Sequence, residues 1–167
     1  MLIRSIKIGI VAVGLTAGSC GAYWGAIQYQ GNFHTVKEGA FYRSAQLSKN
    51  ELQSAIRDHK IRSVLNLRGA HPGQAWYDEE LAVSQALGIV RDAPKPLLVH
   101  CKSGADRTGL VSALYRFAGE GVSADQADRE LSLVYGHFPY FPSRSKAMDD
   151  SFWAFVGTQA SLAHGAD

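Results

Sequence analysis

The sequence predicts an α/β fold, a central and mostly parallel sheet flanked by helices. Two apolar runs typical of strands, "RSVLNLRG" and "PLLVH", alternate with longer amphipathic segments typical of helices. Helix start and stop signals separate these segments, and a chain of 167 residues is long enough for one domain with its own core. Net charge is +2 with no long basic run, which argues against a nucleic-acid-binding protein.

The first half of the pattern begins after an expected linker over residues 28–38. "GAFYRSAQ" predicts a short strand and a turn. Ser48 and Glu51 have the spacing of a capping box, so a helix starts there. "RSVLNLRG" is the next strand, "AHPGQ" a loop, and "AWYDEELAVSQALG" a helix that ends at Gly88.

The second half begins with the strand "PLLVH", and "GLVSALYRFAG" is typical of the helix that follows it. A further helix is predicted from Ser123 to Gly136, a proline-broken loop over "HFPYFPSRSK", and a last helix from about Ala147 to Leu162. Cys20 and Cys101 lie far apart, and their spacing fits neither a disulfide framework nor a zinc site.

The N-terminal segment differs from the rest of the chain. Arg4 and Lys7 are followed by no charged residue until Lys37, and residues 8–27 are long enough to cross a bilayer. We expect an anchor over residues 1–30 and a globular domain over residues 31–167. The positive end favours the cytoplasm, which predicts that the domain lies on the extracytoplasmic, periplasmic side.

Two other interpretations of this segment stay open. It is also compatible with a signal peptide cleaved before Cys20, followed by export of the domain, and with a buried core helix. Glycines recur on one face of the expected helix, which makes that face a candidate surface for a homodimer. These glycines are Gly14, Gly18, Gly21 and Gly25.

The stretch "HCKSGADRTG", residues 100–109, contains the candidate catalytic and anion-binding residues. Cys101 lies where a strand turns into a helix, and the helix N-terminus favours the thiolate, which is the nucleophilic form. The following loop can curl so that its amides surround a phosphate, with Gly104 permitting the curvature and Arg107 gripping two oxygens. The expected phosphate-binding residues are Lys102, Ser103, Gly104, Ala105, Asp106 and Arg107.

Three neighbouring residues have expected supporting roles. The Thr108 hydroxyl can hydrogen-bond the thiolate, and His100 can hold the loop through its ring nitrogens. Asp106 is unusual beside a phosphate, so we expect its side chain to point away and orient the loop.

This stretch resembles the signature "HCxxGxxR[ST]G" of the cysteine-dependent protein tyrosine and dual-specificity phosphatases. "FYRSAQLS", "VLNLRG" and "YGHFP" are similar to the compact bacterial dual-specificity-like subfamily, over roughly residues 36–157. The resemblance implies the cysteine-phosphatase fold and a two-step hydrolysis of phosphomonoesters. Cys101 would attack phosphorus, Arg107 would stabilise the transition state, and neither metal nor cofactor would be required.

The chain departs from the family where the general-acid loop is expected. "ALGIV" runs straight into "RDAPKPLLVH", so only a few residues separate "GIV" from the signature strand, too few for a parallel crossover. The acid loop and its helix are therefore expected to be missing between Val90 and Arg91. Of the remaining carboxylates, Asp78 is the least unfavourable acid, ahead of Glu79, Glu80 and Asp92.

Three functions follow from these residues. The first is a phosphatase of phosphotyrosine, phosphoserine, phosphothreonine or similar monoesters, impaired by the missing acid. The second is a phosphate-binding module with little turnover, and the third is a lipid or inositol phosphate phosphatase. A rhodanese-like sulfur-transfer domain is disfavoured by His100 before the cysteine and by the Arg-Thr-Gly after it.

Overall fold

The computed structural model describes residues 16, 18–86, 94–140 and 145–164, without the side chains of residues 81–86 and 163–164. Residues 18–29 form helix α1. The strands are β1 (His34–Lys37), β2 (Phe41–Ser44), β3 (Ser63–Asn66) and β4 (Leu97–His100). The other helices are α2 (Lys49–His59), α3 (Ala75–Ala86), α4 (Asp106–Leu114), α5 (Ala124–Asp128) and α6 (Lys146–His164). A π-helical turn, Tyr115–Gly119, extends α4, and a 3-10 turn spans Leu133–Tyr135.

The sheet has the strand order β1-β2-β4-β3, which confirms the predicted mostly parallel α/β architecture. Strands β2 and β3 both run parallel to β4, whereas β1 pairs antiparallel with β2. The last residues of the three parallel strands, Ser44, His100 and Asn66, are in register. The loops that follow them therefore meet at one edge of the sheet, where α/β folds place their ligands.

Two hydrophobic clusters form the described core, one on each side of the sheet. Tyr42, Leu98 and Val64 form a cross-strand row that packs against the apolar face of α2. On the other side, a cluster joins α4, α5 and α6 around the fully buried ring of Phe152. Successive strand residues point to opposite faces, which is why neighbouring residues of β2 contribute to different layers.

Several predicted elements are confirmed. The strands "VLN" and "LLVH" form as expected, and α6 lies within two residues of its predicted limits. The capping box of α2 is present: the Glu51 carboxylate accepts from the Ser48 amide at 2.8 Å, and Ser48 Oγ accepts from the Glu51 amide at 3.4 Å. A cap of this kind stabilises a helix by about 1 kcal/mol.

Two predictions of secondary structure are wrong. Residues 34–37, expected to be linker, form the antiparallel edge strand β1. The single helix expected from Ser123 to Gly136 breaks after Asp128, because Glu130 turns inward to pair with Arg43 and Ser132 adopts an extended conformation. Gly136 does end the final turn, with φ of 81°.

The predicted N-terminal anchor lies partly outside the described residues, as do Gly14 and the segment "GIV". Within the part of the chain that the structure describes, no helix is both long enough and apolar enough to span a membrane. Gly18, Gly21 and Gly25 have open space where a Cβ would stand. Helix α1 packs on the domain: its Tyr23 hydroxyl donates to the Val134 carbonyl at 3.0 Å.

Candidate active site

The signature loop joins β4 to α4 and occupies the sheet edge described above. Cys101 follows β4 directly and is 2% exposed, and Asp106 opens α4. Ala105 stands at the N-cap position without any side-chain cap. The first amides of α4 thus have no partner within their helix, an arrangement suited to binding an anion.

Gly104 is required by the shape of the loop. Its φ is +74°, and a Cβ at this position would lie 2.6 Å from the Ala45 amide nitrogen and 2.7 Å from the Ser44 carbonyl carbon. The loop therefore turns back against the end of β2, as the predicted tight curvature requires.

The loop carbonyls point outward to donors on neighbouring elements. The Arg43 guanidinium donates from Nη2 to the Gly104 carbonyl at 2.7 Å and to the Ala105 carbonyl at 3.3 Å. The Gln46 amide donates to the Lys102 carbonyl at 3.1 Å. Among the described residues, the amides of residues 103–107 donate to no protein acceptor. Outward carbonyls and unpaired amides are the features of an anion-binding nest.

Arg43 is itself locked in place. It is fully buried, its Nη1 lies 2.8 Å from the Glu130 carboxylate, and its guanidinium stacks over the Tyr135 ring at 3.8 Å. Burial lowers the pKa of Arg43 and the Glu130 charge opposes that effect, but an arginine stays protonated in proteins. A fixed cation therefore lies behind the loop.

Arg107 lies at the open side of the loop. Its guanidinium is exposed and donates from Nη1 to the Leu67 carbonyl at 2.7 Å, in the loop that follows β3. Arginine has five N–H donors, so this contact orients the side chain and leaves donors for a phosphate. The role of Arg107 as a planar clamp on phosphate stays a prediction.

Thr108 is fully buried, and its hydroxyl oxygen has no hydrogen-bond partner among the described residues. Buried hydroxyls are nearly always paired. A hydrogen bond from this hydroxyl to the Cys101 thiolate stays a prediction.

His100 does not hold the loop through its ring nitrogens as expected. Its Nε2 lies 3.1 Å from the Glu80 carboxylate, within ion-pair distance, but neither ring nitrogen makes a hydrogen bond of good geometry among the described residues. The ring is 2% exposed. His100, at the end of β4, therefore connects the strand before the signature loop to Glu80 on α3.

Glu80 is the centre of a polar network beneath the loop. Its carboxylate accepts from Gln46 Nε2 at 2.8 Å and from Asn66 Nδ2 at 3.0 Å. Burial would raise the pKa of Glu80, but the close contact with His100 and the hydrogen bonds from Gln46 and Asn66 outweigh burial and lower it. A carboxylate held in its charged form is a poor proton donor near neutral pH.

Asp78, the acid candidate from the sequence, is exposed on the first turn of α3. Its Oδ1 accepts from the Gly73 amide at 3.3 Å, an interaction that caps the turn before the helix. Asp92 lies outside the described residues. Lys102 is exposed next to Cys101, so its amine is free to meet an anionic substrate.

The Asp106 carboxylate is held by side chains outside the signature loop. It accepts from His137 Nδ1 at 2.8 Å and from Ser145 Oγ at 3.1 Å, while His137 Nε2 contacts Asp149 at 2.9 Å. Burial alone would lower the pKa of His137, but the hydrogen bonds to both aspartates outweigh it and raise the pKa. The same hydrogen bond lowers the pKa of Asp106 against the effect of burial. This cluster attaches the start of α4 to α6.

Three of these residues were not identified as functional from the sequence: Arg43, Glu130 and His137. The available signal was a charged residue inside a strand that is otherwise buried. Arg43 stands in "FYRS", all four residues of which are buried. A buried arginine needs a buried carboxylate, but the sequence does not identify which carboxylate that is.

Comparisons with known proteins agree with this geometry. The profile of the tyrosine phosphatase family matches residues 73–130, which include the signature loop. A search of curated proteins finds no match to the sequence.

Solved structures give the same fold. TpbA of P. aeruginosa is 21% identical, with 79% of this chain and 91% of that chain covered and a TM-score of 0.52. The core catalytic domain of the PP-IP phosphatase SIW14 from S. cerevisiae, in complex with citrate, is 21% identical, with 77% and 93% covered and a TM-score of 0.51. The signature loop lies within the segment that matches the tyrosine phosphatase profile, and the chain shares its fold with solved phosphatases.

Proposed function

We propose that this phosphatase hydrolyses phosphomonoesters through a phosphorylated Cys101, with the signature loop as its main catalytic element. The observation that carries the proposal is the arrangement around Cys101. The loop carbonyls are held outward by Arg43 and by the Gln46 amide, and the amides of residues 103–107 are unpaired. These amides are the donors that a phosphate above the buried thiol requires.

In the first step, the Cys101 thiolate attacks phosphorus, an S–P bond forms, and the P–O bond to the alcohol breaks. The charge on the equatorial oxygens is stabilised by the loop amides and by Arg107. Preorganised donors of this kind each contribute about 10²–10³ in rate. The departing oxygen takes up a proton and leaves as the alcohol.

In the second step, a water oxygen attacks phosphorus and the S–P bond breaks. Inorganic phosphate is released, the proton of the water passes to solvent or to a nearby base, and the thiolate is restored. The unpaired hydroxyl of Thr108 donates to Sγ as negative charge returns to it. This hydrogen bond makes Cys101 a better leaving group.

None of the described carboxylates considered as the acid is well suited to donate a proton to the leaving oxygen. Glu80 is held as the anion by two hydrogen-bond donors and the nearby His100 ring, Asp106 accepts from two donors, and Asp78 is exposed. We therefore propose a preference for aryl phosphates, phosphotyrosine among them, over alkyl phosphates such as phosphoserine. A phenol leaves more readily than an aliphatic alcohol because its oxygen carries negative charge more easily.

The cellular setting is proposed from the sequence alone. The cationic start and the uncharged stretch that follows support attachment to a membrane through the N-terminal segment, with the domain on the extracytoplasmic side. Protease protection of the full chain in intact cells tests this side. Crosslinking of the full chain, with Gly18→Leu as the variant, tests a dimer through the glycine face.

The test of the proposed activity uses the full chain and p-nitrophenyl phosphate. Rapid acid quench followed by peptide mass spectrometry should find one phosphoryl group on the peptide that contains Cys101. Cys101→Ser is the blank, and Arg62→Lys, an exposed change outside the loop, is the matched control. Turnover that persists in Cys101→Ser contradicts the mechanism, whereas phosphate binding without turnover supports a binding module instead.

A further inference from the structure

Helix α1 and the residues just after it reach the signature loop. Gln28 Nε2 donates to the Ser103 carbonyl at 3.0 Å, and Asn32 Nδ2 donates to the same carbonyl at 2.8 Å. The segment predicted to be an anchor thus contacts the loop that follows Cys101. One carbonyl oxygen receives both side-chain donors.

Asn32 is held rigidly in this position. It is 2% exposed, its φ is +43°, and its Nδ2 also donates to the Tyr135 carbonyl at 2.9 Å. Its Oδ1 lies 2.9 Å from His34 Nε2, and because an amide oxygen only accepts, that ring nitrogen carries the proton. All polar atoms of the Asn32 side chain are therefore engaged.

Gln28 is placed by the packing of α1. The Tyr23 hydroxyl contacts the Val134 carbonyl. A Cβ on Gly136 would lie 3.2 Å from both Ile27 Cδ1 and Trp24 Cδ1, so these side chains rest on the glycine backbone. Helix α1 packs against the 3-10 turn in one defined position. From this position, the Gln28 side chain reaches the signature loop.

The consequence for the loop follows from peptide geometry. In a trans peptide unit, the C=O of one residue and the N–H of the next point in opposite directions. Two donors that hold the Ser103 carbonyl outward therefore direct the Gly104 amide inward, toward the phosphate position. Arg43 has the same effect on the next two peptide units.

We infer that Gln28 and Asn32 are positioning residues that set the affinity of the signature loop for the phosphoryl group. The inference rests on the proposed function, because it assigns these residues to the same phosphate site. It makes the helix before the domain a part of the phosphatase. A change in how α1 packs against the 3-10 turn would then alter phosphate binding through the Ser103–Gly104 peptide.

The test measures tungstate affinity by calorimetry and kcat/KM for p-nitrophenyl phosphate on the full chain. Gln28→Met removes one donor at nearly constant shape, and Asn32→Gly removes the other while tolerating a positive φ. A hydrogen bond is worth about 0.5–1.5 kcal/mol, so each variant should weaken tungstate binding and lower kcat/KM by roughly 2- to 12-fold. Tyr29→Phe is the matched control, since Tyr29 lies on α1 but is 88% exposed.

A merely structural role predicts a different pattern. It lowers the melting temperature of Gln28→Met and Asn32→Gly and leaves the tungstate affinity of the folded protein unchanged. The inference would be overturned if Gln28→Met and Asn32→Gly both bound tungstate like the wild type, or if Tyr29→Phe weakened binding equally. Wild-type protein that binds tungstate without turnover would refute the proposed function. The tungstate affinities of the variants would still test whether Gln28 and Asn32 position the loop.

Discussion

The proposed phosphate-binding half of the site and the half that would donate the proton are built very differently. In the signature loop, each carbonyl from Lys102 to Ala105 has a donor on another element of the fold. Of the described carboxylates considered as the acid, Glu80 is buried and hydrogen-bonded as the anion, and Asp78 is exposed. Binding and nucleophilic attack are strongly supported, and proton donation is not.

The contrast between the signature loop and the candidate acids shows which part of the chemistry a local sequence motif can specify. Ten consecutive residues supply the nucleophile, the amides and the arginine, because a strand, a loop and a helix place them together. A general acid has to come from a different segment, brought in by tertiary structure. The predicted absence of that segment would leave the signature loop intact, and changes to the two halves should therefore differ greatly in their effects.

Arg107→Lys should give the largest loss among the charge-preserving changes. A lysine keeps the charge but lacks the planar fork that holds two oxygens. We expect kcat/KM for p-nitrophenyl phosphate to fall by about 10²–10³. A decrease of less than fivefold in steady-state assays would show that Arg107 does not clamp the transition state.

Arg43→Met should affect both activity and stability. It leaves Glu130 buried without its main partner, which costs about 3–5 kcal/mol of unfolding free energy, and it frees the Gly104 carbonyl. The double variant with Glu130→Met removes both charges and should recover much of the stability in urea unfolding, while kcat/KM stays low. Recovery of activity along with stability would reduce Arg43 to a packing role, and exposed Arg57→Met should change neither.

These two arginines also mark how far the sequence predicts the site. Arg107 was assigned from the motif, because its spacing from Cys101 is fixed within one loop. Arg43 was visible only as a charge in a buried strand, since its partner Glu130 is 87 residues away. The broken helix before Gly136 was mispredicted for the same reason: the Arg43–Glu130 pairing overrides local helix signals.

The sheet shows the same division. The strands around "VLN" and "LLVH" were predicted from apolar runs, and their parallel order follows from the helices between them. Strand β1 was missed because its residues alternate without a continuous apolar run and pair only at the edge. The contact of Gln28 with Ser103 is not predictable from the sequence, because it depends on how α1 packs against the rest of the fold.

His137→Gln should change the pH dependence of stability. The raised pKa of His137 means that its contribution is complete below its ordinary value of 6.5 and is lost as pH rises through the raised value. The pKa of Asp106 is lowered, so its contribution is present above 3.8 and is lost only as pH falls through the lowered value. We expect the variant to lose about 1–3 kcal/mol at pH 6 and less at pH 9.

Urea unfolding at the two pH values checks this prediction. The exposed His71 provides the control variant His71→Gln, which should lose little stability at either pH. An equal loss for His137→Gln at pH 6 and pH 9 would contradict a charged histidine between Asp106 and Asp149.

Asp78→Asn should have the smallest effect. Its carboxylate is exposed and accepts from the Gly73 amide, a bond that the asparagine side-chain oxygen can also accept. We expect kcat/KM to stay within about threefold of wild type, because a general acid would contribute 10²–10⁴. A hundredfold loss with phosphoserine and little loss with p-nitrophenyl phosphate would instead identify Asp78 as the acid.

The most direct test of the central claim is the dependence of rate on the leaving group. The full chain is assayed with a series of aryl phosphates of increasing phenol pKa and with phosphoserine, always against Cys101→Ser. If the loop acts without an efficient acid, log(kcat/KM) should fall steeply along the series, and phosphoserine should react about 10²–10⁴ more slowly than the aryl esters. A flat series, with phosphoserine hydrolysed at a comparable rate, would show that an effective general acid protonates the leaving oxygen and would contradict the account.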